Sequence, residues 1–260
     1  MQIFPTISII TPSLNQGDYI EETILSVLSQ GYPNIEYLVM DGCSSDNTLQ
    51  ILEKYAGRLK WISEPDKGQT NAINKGLQMT TGSIVGFLNA DDTLAPGALQ
   101  KIAESFSTNQ DIKWVTGKCY IVNEEGEEIR RSITNYKNLL LRLRSFHLLF
   151  VTNYISQPAT FWARTAFDEL GPMDESLHYV MDYEYWLRLY SKYPPLFLPE
   201  YLAFFRVQRN SKTTRKGHSS IYIDEEKNII QRYTSSYLPM FLHNTHRYIM
   251  TMIYSILNHR

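Results

Sequence analysis

Cysteine is scarce in this 260-residue chain, with Cys43 and Cys119 the only two. Two thiols cannot build a disulfide framework or a cysteine-rich zinc site, and they fit a reducing compartment, so a cytoplasmic location is expected. An excess of basic charge is also missing. The formal charge of −2 and a pI near 6.3 argue against a nucleic-acid binder, which needs a positive field over its contact surface. The N-terminal residues show no basic stretch leading into an apolar run and cleavage site, so no secretion signal is expected. The longest apolar stretch near the other end, 248–257, is interrupted by Thr251 and Ser255. It falls far short of the ~20 residues that span a bilayer. Three glycine signatures are absent as well: G-x-G-x-x-G after the first strand, G-x-x-x-x-G-K-[ST], and G-x-S-x-G. Dinucleotide dehydrogenases, P-loop NTPases and serine hydrolases therefore lose their main marks.

What the chain does have is an alternation of β-like and helical runs from Thr6 to about Leu99, which predicts parallel strands joined by crossover helices. Strands are predicted over 7–11, 35–40 and 59–62. Helices are predicted from near Asp18, with Ile20, Ile24, Val27 and Leu28 on one face, and around Leu49, Leu52 and Tyr55. A fourth strand, Ile84-Val85-Gly86-Phe87-Leu88, runs into Asn89-Ala90-Asp91-Asp92. Successive strand ends thus carry Asp41, Asp66 and the pair Asp91 and Asp92. A lone Asp after a strand is usually a turn or cap residue, and Asp92 or Thr93 alone can be read as capping the helix that Pro96 helps to start. Repetition at three strand ends shifts the balance toward a site, because ligands collect outside the carboxyl ends of parallel strands. Hard oxygen ligands there suit Mg²⁺ or Mn²⁺ with a phosphate.

The second half is less regular. A strand is expected near 114–122, then a charged turn over 123–128 and a long aromatic and aliphatic segment over 133–155. Residues 1–235 are taken as one domain, with a nucleotide-binding half over 1–100 and an acceptor half over 101–235. Residues 236–260 form an amphipathic helical extension. In the helix expected around 181–190, spacings of three and four place Asp182 with Tyr185, Trp186 and Leu189 on an inward apolar stripe. An inward carboxylate is costly unless it has a partner or a task, and it suits a base for an acceptor hydroxyl. Stabilisation of the helix start by a first-turn acid is the plainer reading. Glu184 and Arg188, four apart, are expected as a solvated ion pair.

Together, Ile9-Ile10-Thr11-Pro12-Ser13-Leu14-Asn15, Asp41-Gly42-Cys43-Ser44-Ser45-Asp46-Asn47-Thr48, Glu64-Pro65-Asp66-Lys67-Gly68 and Asn89-Ala90-Asp91-Asp92 resemble the family-2 inverting glycosyltransferases of the GT-A fold. Gln157-Pro158-Ala159-Thr160-Phe161-Trp162 and the stretch from His178 to Arg188 look like the acceptor signature of a bacterial polysaccharide-assembly branch. The resemblance implies a single α/β, Rossmann-like domain with a mostly parallel central sheet flanked by helices. It implies a nucleotide-diphosphate-sugar donor, with uracil the favoured base, held by Thr11, Pro12, Asn15, Asp41, Asp66, Lys67, Gly68, Asn89 and Asp91. A divalent cation, Mn²⁺ or Mg²⁺, would sit on Asp92 with Asp91, and Asp182 would be the base. The acceptor is expected to be a glycan or a lipid-linked saccharide at the inner face of the plasma membrane.

One position departs from the family pattern: relatives commonly have His where Gln208 stands. The loop is then expected to meet phosphates through Arg206, Arg209 or Lys212, or to be only a solvated basic loop. At the end of the chain, Tyr248, Ile249, Met252, Ile253 and Ile256 form an apolar stripe bordered by His246, Arg247, His259 and Arg260. It suits a membrane surface, packing on the same chain, or a second subunit in a homo-oligomer. Two other functions fit the acids: a sugar nucleotidyltransferase, which usually carries a glycine- and basic-rich first loop that 12–17 lacks, and a non-catalytic nucleotide- or glycan-binding module.

Overall fold

Alternation along the first strands decides the two faces of the sheet. In β1 (Ile7–Ser13) and β2 (Ile35–Asp41), Ile7, Ile9, Tyr37 and Val39 point into one buried cluster, while Ile10, Leu38 and Met40 point into another. The first cluster is closed by α1 (Ile20–Leu28), α2 (Thr48–Lys54) and α4 (Ala98–Thr108). The second is closed by α3 (Gln69–Met79), α7 (Arg164–Leu170) and α8 (Met181–Lys192). A computed structural model describes residues 4–209, 211 and 219–257 of this α/β protein.

Eight strands lie in the order β3-β2-β1-β4-β7-β6-β8-β5. β3 (Lys60–Ser63), β2, β1 and β4 (Ile84–Phe87) are mutually parallel, as the alternating pattern requires. Beyond β4, the strand β7 (Thr160–Ala163) runs antiparallel both to it and to β6 (Trp114–Val122). β8 (Leu196–Arg206) returns parallel to β6, and the two-residue β5 (Thr93–Leu94) pairs antiparallel with β8. A side chain on Gly86 of β4 would meet the Phe161 ring at 2.6 Å, so the β4–β7 approach depends on that glycine.

Register places the first site residues. Ser13 is level with Asp41, and Asp41 with Ser63, so three polar side chains stand abreast at the carboxyl ends of β1, β2 and β3. The 133–155 segment resolves into α5 (Arg131–Leu143) and α6 (Phe146–Leu149). Farther along, α9 (Ser219–Tyr233) inserts Ile229 and Ile230 into the second cluster, and α10 (Tyr237–Leu257) follows it.

Candidate functional site

Loops after β1, β2 and β3 form a hydrogen-bonded polar floor. Asp41 is buried, and its two oxygens accept the Ser44 N–H at 2.9 Å, the Ser44 hydroxyl at 2.5 Å and the Ser63 hydroxyl at 2.7 Å. Asn15 takes a left-handed backbone (φ 52°), which Asn tolerates better than most residues. Its N–H donates to Ser44 Oγ, and its side-chain oxygen accepts the Ser45 N–H at 2.8 Å, locking the first loop to the second. Thr11 is fully buried and bonds Tyr37 Oη at 3.1 Å, so its hydroxyl serves the core, and Pro12 is buried beside it. Asp66 accepts the Gly68 N–H at 2.7 Å, where Gly68 adopts φ 110°. A side chain on Gly42 would stand 2.7 Å from the Asp66 carboxylate, which brings the second and third loops together. Lys67 is exposed at the rim.

The acid pair after β4 is built differently. Asp92 is buried, and one of its oxygens accepts the Arg206 N–H at 2.9 Å while the other accepts the Asn89 amide at 3.1 Å. Burial and the adjacent Asp91 charge push the Asp92 carboxyl well above the usual range. Asp91 is partly exposed and accepts the Gln208 amide at 2.6 Å. Burial raises its pKa, against the Gln208 bond and the Arg206 charge. Asn89 accepts from Gln69 at 2.7 Å and donates to Gln157 at 3.2 Å, and Gln157 in turn donates to the Phe87 carbonyl. Thr23 of α1 donates to the carbonyls of Ala90 and Asp92, fixing the loop from below.

Arg206 corrects an expectation. Far from reaching for phosphate, it is buried and donates to the carbonyls of Asp91 and Glu124 and to Glu22. Its task is to hold the acid loop in place. Arg209 donates its backbone N–H to Glu124, and Lys212 lies outside the described residues. No local pattern could announce this role, because Arg206 sits 115 residues from Asp91 and 184 from Glu22.

Asp182 opens α8, with Tyr185, Trp186 and Leu189 of its stripe all fully buried. Burial lifts its carboxyl to about 6, against the lowering effects of the Tyr183 N–H it accepts at 2.7 Å and of the Lys137 ammonium. Lys137 on α5 bridges toward the acid pair: it acts on Asp182 and on the Cys119 thiol, and Asp92 also acts on that thiol. The loop entering α8 is clamped by Glu225 of α9, which accepts the N–H groups of His178 and Tyr179 at 2.8 and 2.9 Å. Sequence reasoning missed Lys137, Glu225 and Gln69, and only Gln157 lay within a motif it had singled out. Glu184 is a second correction. It is buried, paired with Arg188 and bonded by Tyr233 Oη at 3.1 Å, because α9 covers the face that α8 spacing had assigned to solvent.

A divalent cation suits this acid loop on charge grounds. The Arg206 guanidinium pairs with Glu22 and donates to the Asp91 carbonyl, and among the described residues it is the one cation that also acts on both the Asp91 and Asp92 carboxyls. Among the described residues no group of three His, Cys, Asp or Glu side chains could hold an ion alone. A donor's phosphate oxygens would have to complete its shell.

The family model described as "Glycosyl transferase family 2" matches residues 8–171. A putative teichuronic acid biosynthesis glycosyltransferase of Bacillus subtilis is 40% identical over 104 residues, 38% of this chain and 41% of that protein. The chain spans about half the length of the curated relatives it matches. Among solved structures, Staphylococcus aureus TarS 1-349 in complex with UDP-GlcNAc superposes with a TM-score of 0.68 at 21% identity, covering 86% of this chain and 65% of that one. The mannosyltransferase PcManGT of Pyrobaculum calidifontis, in complex with GDP-Man and Mn²⁺, gives 0.70 at 18% identity, covering 95% and 70%. At these identities the two structures establish the fold.

Proposed function

The chain belongs to glycosyl transferase family 2, and from that premise we propose that it moves a sugar from a UDP-sugar to a hydroxyl of a glycan or lipid-linked acceptor in cell-surface polysaccharide assembly. The observation that carries this reading is the placement of two kinds of carboxylate: a pair held at the switch point between β1 and β4, and a separate acid at the start of α8 whose pKa is raised to about 6. Asn15, Asp41, Asp66, Lys67 and Gly68 line the nucleotide floor, with Thr11 and Pro12 supporting it from within. Asn89 and Asp91 face the diphosphate. Asp91 is the carboxylate placed to meet Mn²⁺ or Mg²⁺, while Asp92, whose two oxygens are engaged by Arg206 and Asn89, orients the loop. The cation would neutralise charge growing on the leaving diphosphate.

Asp182 takes the proton of the acceptor hydroxyl as that oxygen bonds to the anomeric carbon and the bond from that carbon to the diphosphate oxygen breaks. One displacement inverts the anomeric configuration. A carboxyl poised near 6 is ionised at neutral pH yet more basic than a solvated Asp, as general-base catalysis asks. The enzyme works in the cytoplasm, meeting its acceptor at the inner membrane face. Thermal stabilisation by UDP, GDP and TDP, each with and without Mn²⁺, tests the donor site, since a ligand that binds the native state raises stability by mass action. UDP is expected to stabilise wild type with metal, and Asp91→Ala to lose that effect. No response to any diphosphate would sink the donor-site reading. Asp182→Asn separates an enzyme from a binding module, because only an enzyme loses turnover while keeping donor binding.

A further inference from the structure

Charge is distributed unevenly along this nearly neutral chain. Residues 129–167 and 227–260 hold ten of the 25 Lys and Arg residues and none of the 27 Asp and Glu residues. The remainder carries 15 basic against 27 acidic side chains, so the molecule is basic in two segments and acidic elsewhere. The fold joins those segments: Tyr136 of α5 stacks on His246 of α10 and bonds it at 2.9 Å.

Large apolar side chains emerge at the same place. Tyr237, Leu238, Phe241, Leu242, Tyr248 and Ile249 are each at least 42% exposed and recur at the helical spacing of one α10 face. Leu139 and Leu143, one turn apart on α5, are more than half exposed next to the exposed Arg142 and Arg144. Met252 of α10 is 49% exposed as well, and Leu14, Leu25, Met79 and Ile221 account for the rest of the strongly exposed set among the described residues. Neither α5 nor α10 contains an acid. The inner side of α10 is anchored, with the buried His243 lying 3.3 Å from Glu226 of α9. No helix among the described residues is long and apolar enough to cross a membrane.

We propose that the joined α5 and α10 faces dock on an anionic phospholipid bilayer, the apolar stripe entering the interface and the exposed Arg142 and Arg144 meeting headgroup phosphates. An apolar stripe edged by cations with no acid is the chemistry that a negative lipid surface recognises. A second copy is disfavoured as occupant, because pairing the faces would bring like charges together. His259, Arg260 and the side chain of Ile256, expected on this stripe, lie outside the described residues. The inference is independent of the donor-site reading, because vesicle binding is measured without turnover.

Flotation with vesicles of phosphatidylcholine alone, and with a quarter phosphatidylglycerol, provides the test. Wild type should float with the anionic vesicles, lose binding as salt is raised, and bind neutral vesicles at least ten-fold more weakly. Phe241→Glu with Ile249→Glu should reduce anionic binding at least ten-fold with an unchanged melting curve. Arg142→Glu with Arg144→Glu should reduce it by about five-fold per cation removed, leaving neutral binding unchanged. Equal binding to both vesicles, or to neither, overturns the proposal. So does a dimer in sedimentation velocity that Phe241→Glu disperses, which would make a second copy the occupant.

Discussion

The donor floor and the base helix use polar groups in opposite ways. Around Asn15, Asp41, Asp66 and Asn89, side chains bond one another and nearby backbone, so geometry is fixed by satisfied hydrogen bonds. Around Asp182, which accepts the Tyr183 N–H and feels the Lys137 and Glu226 charges, burial dominates and raises the acid's basicity. Under the proposed function, the first arrangement would serve precision in holding a ligand and the second reactivity.

Asp182→Asn probes the reactive side hardest. Turnover should fall about 10³-fold while UDP affinity stays within two-fold. Stability should move the other way. The folded-state pKa of Asp182 is raised, so its contribution is most favourable below the unfolded value near 3.8 and is lost as pH rises through about 6. Above that pH wild type carries a penalty of about 3 kcal/mol that Asn removes. Urea unfolding at pH 7.5 and pH 4 should show the variant's advantage at the first and little at the second. An equal advantage at both would refute the burial argument.

The organising side is attacked through Arg206. Arg206→Met keeps the backbone N–H that Asp92 accepts but removes the donors to the Asp91 and Glu124 carbonyls, and denaturant titration should record a loss of about 1–3 kcal/mol. A loss under 1 kcal/mol would mean that the loop holds itself. Lys137→Met is a gentler probe of the base: removing a cation that lowers the Asp182 pKa should move the acidic limb of the kcat/KM profile upward from about 6, by up to roughly one pH unit. A limb that stays put would separate Lys137 from the base. Smallest of all, Gly42→Ala pushes on the Asp66 carboxylate and should weaken UDP binding by roughly three- to ten-fold, about 0.6 to 1.4 kcal/mol, with little change in melting. Calorimetry showing no change would take Asp66 out of the donor site.

The contrast also explains what could be read in advance. The four parallel strands and the acids at their ends follow from local periodicity, and the 114–122 strand formed as expected, whereas the strand order came only with the fold. Glu184 was misjudged because helical spacing shows which residues share a face but not which element covers it, and Tyr233 of α9 arrives from 49 residues downstream. Arg206 was misjudged for the same reason. A basic residue in a loop looks solvated until distant carbonyls close around it.

That single guanidinium beside three acids has a kinetic consequence for the proposed reading. Ionised carboxylates at the mouth of the cleft would repel a bare nucleotide diphosphate, and repel it less once a divalent ion has reduced its charge, so encounter would favour the metal-complexed donor.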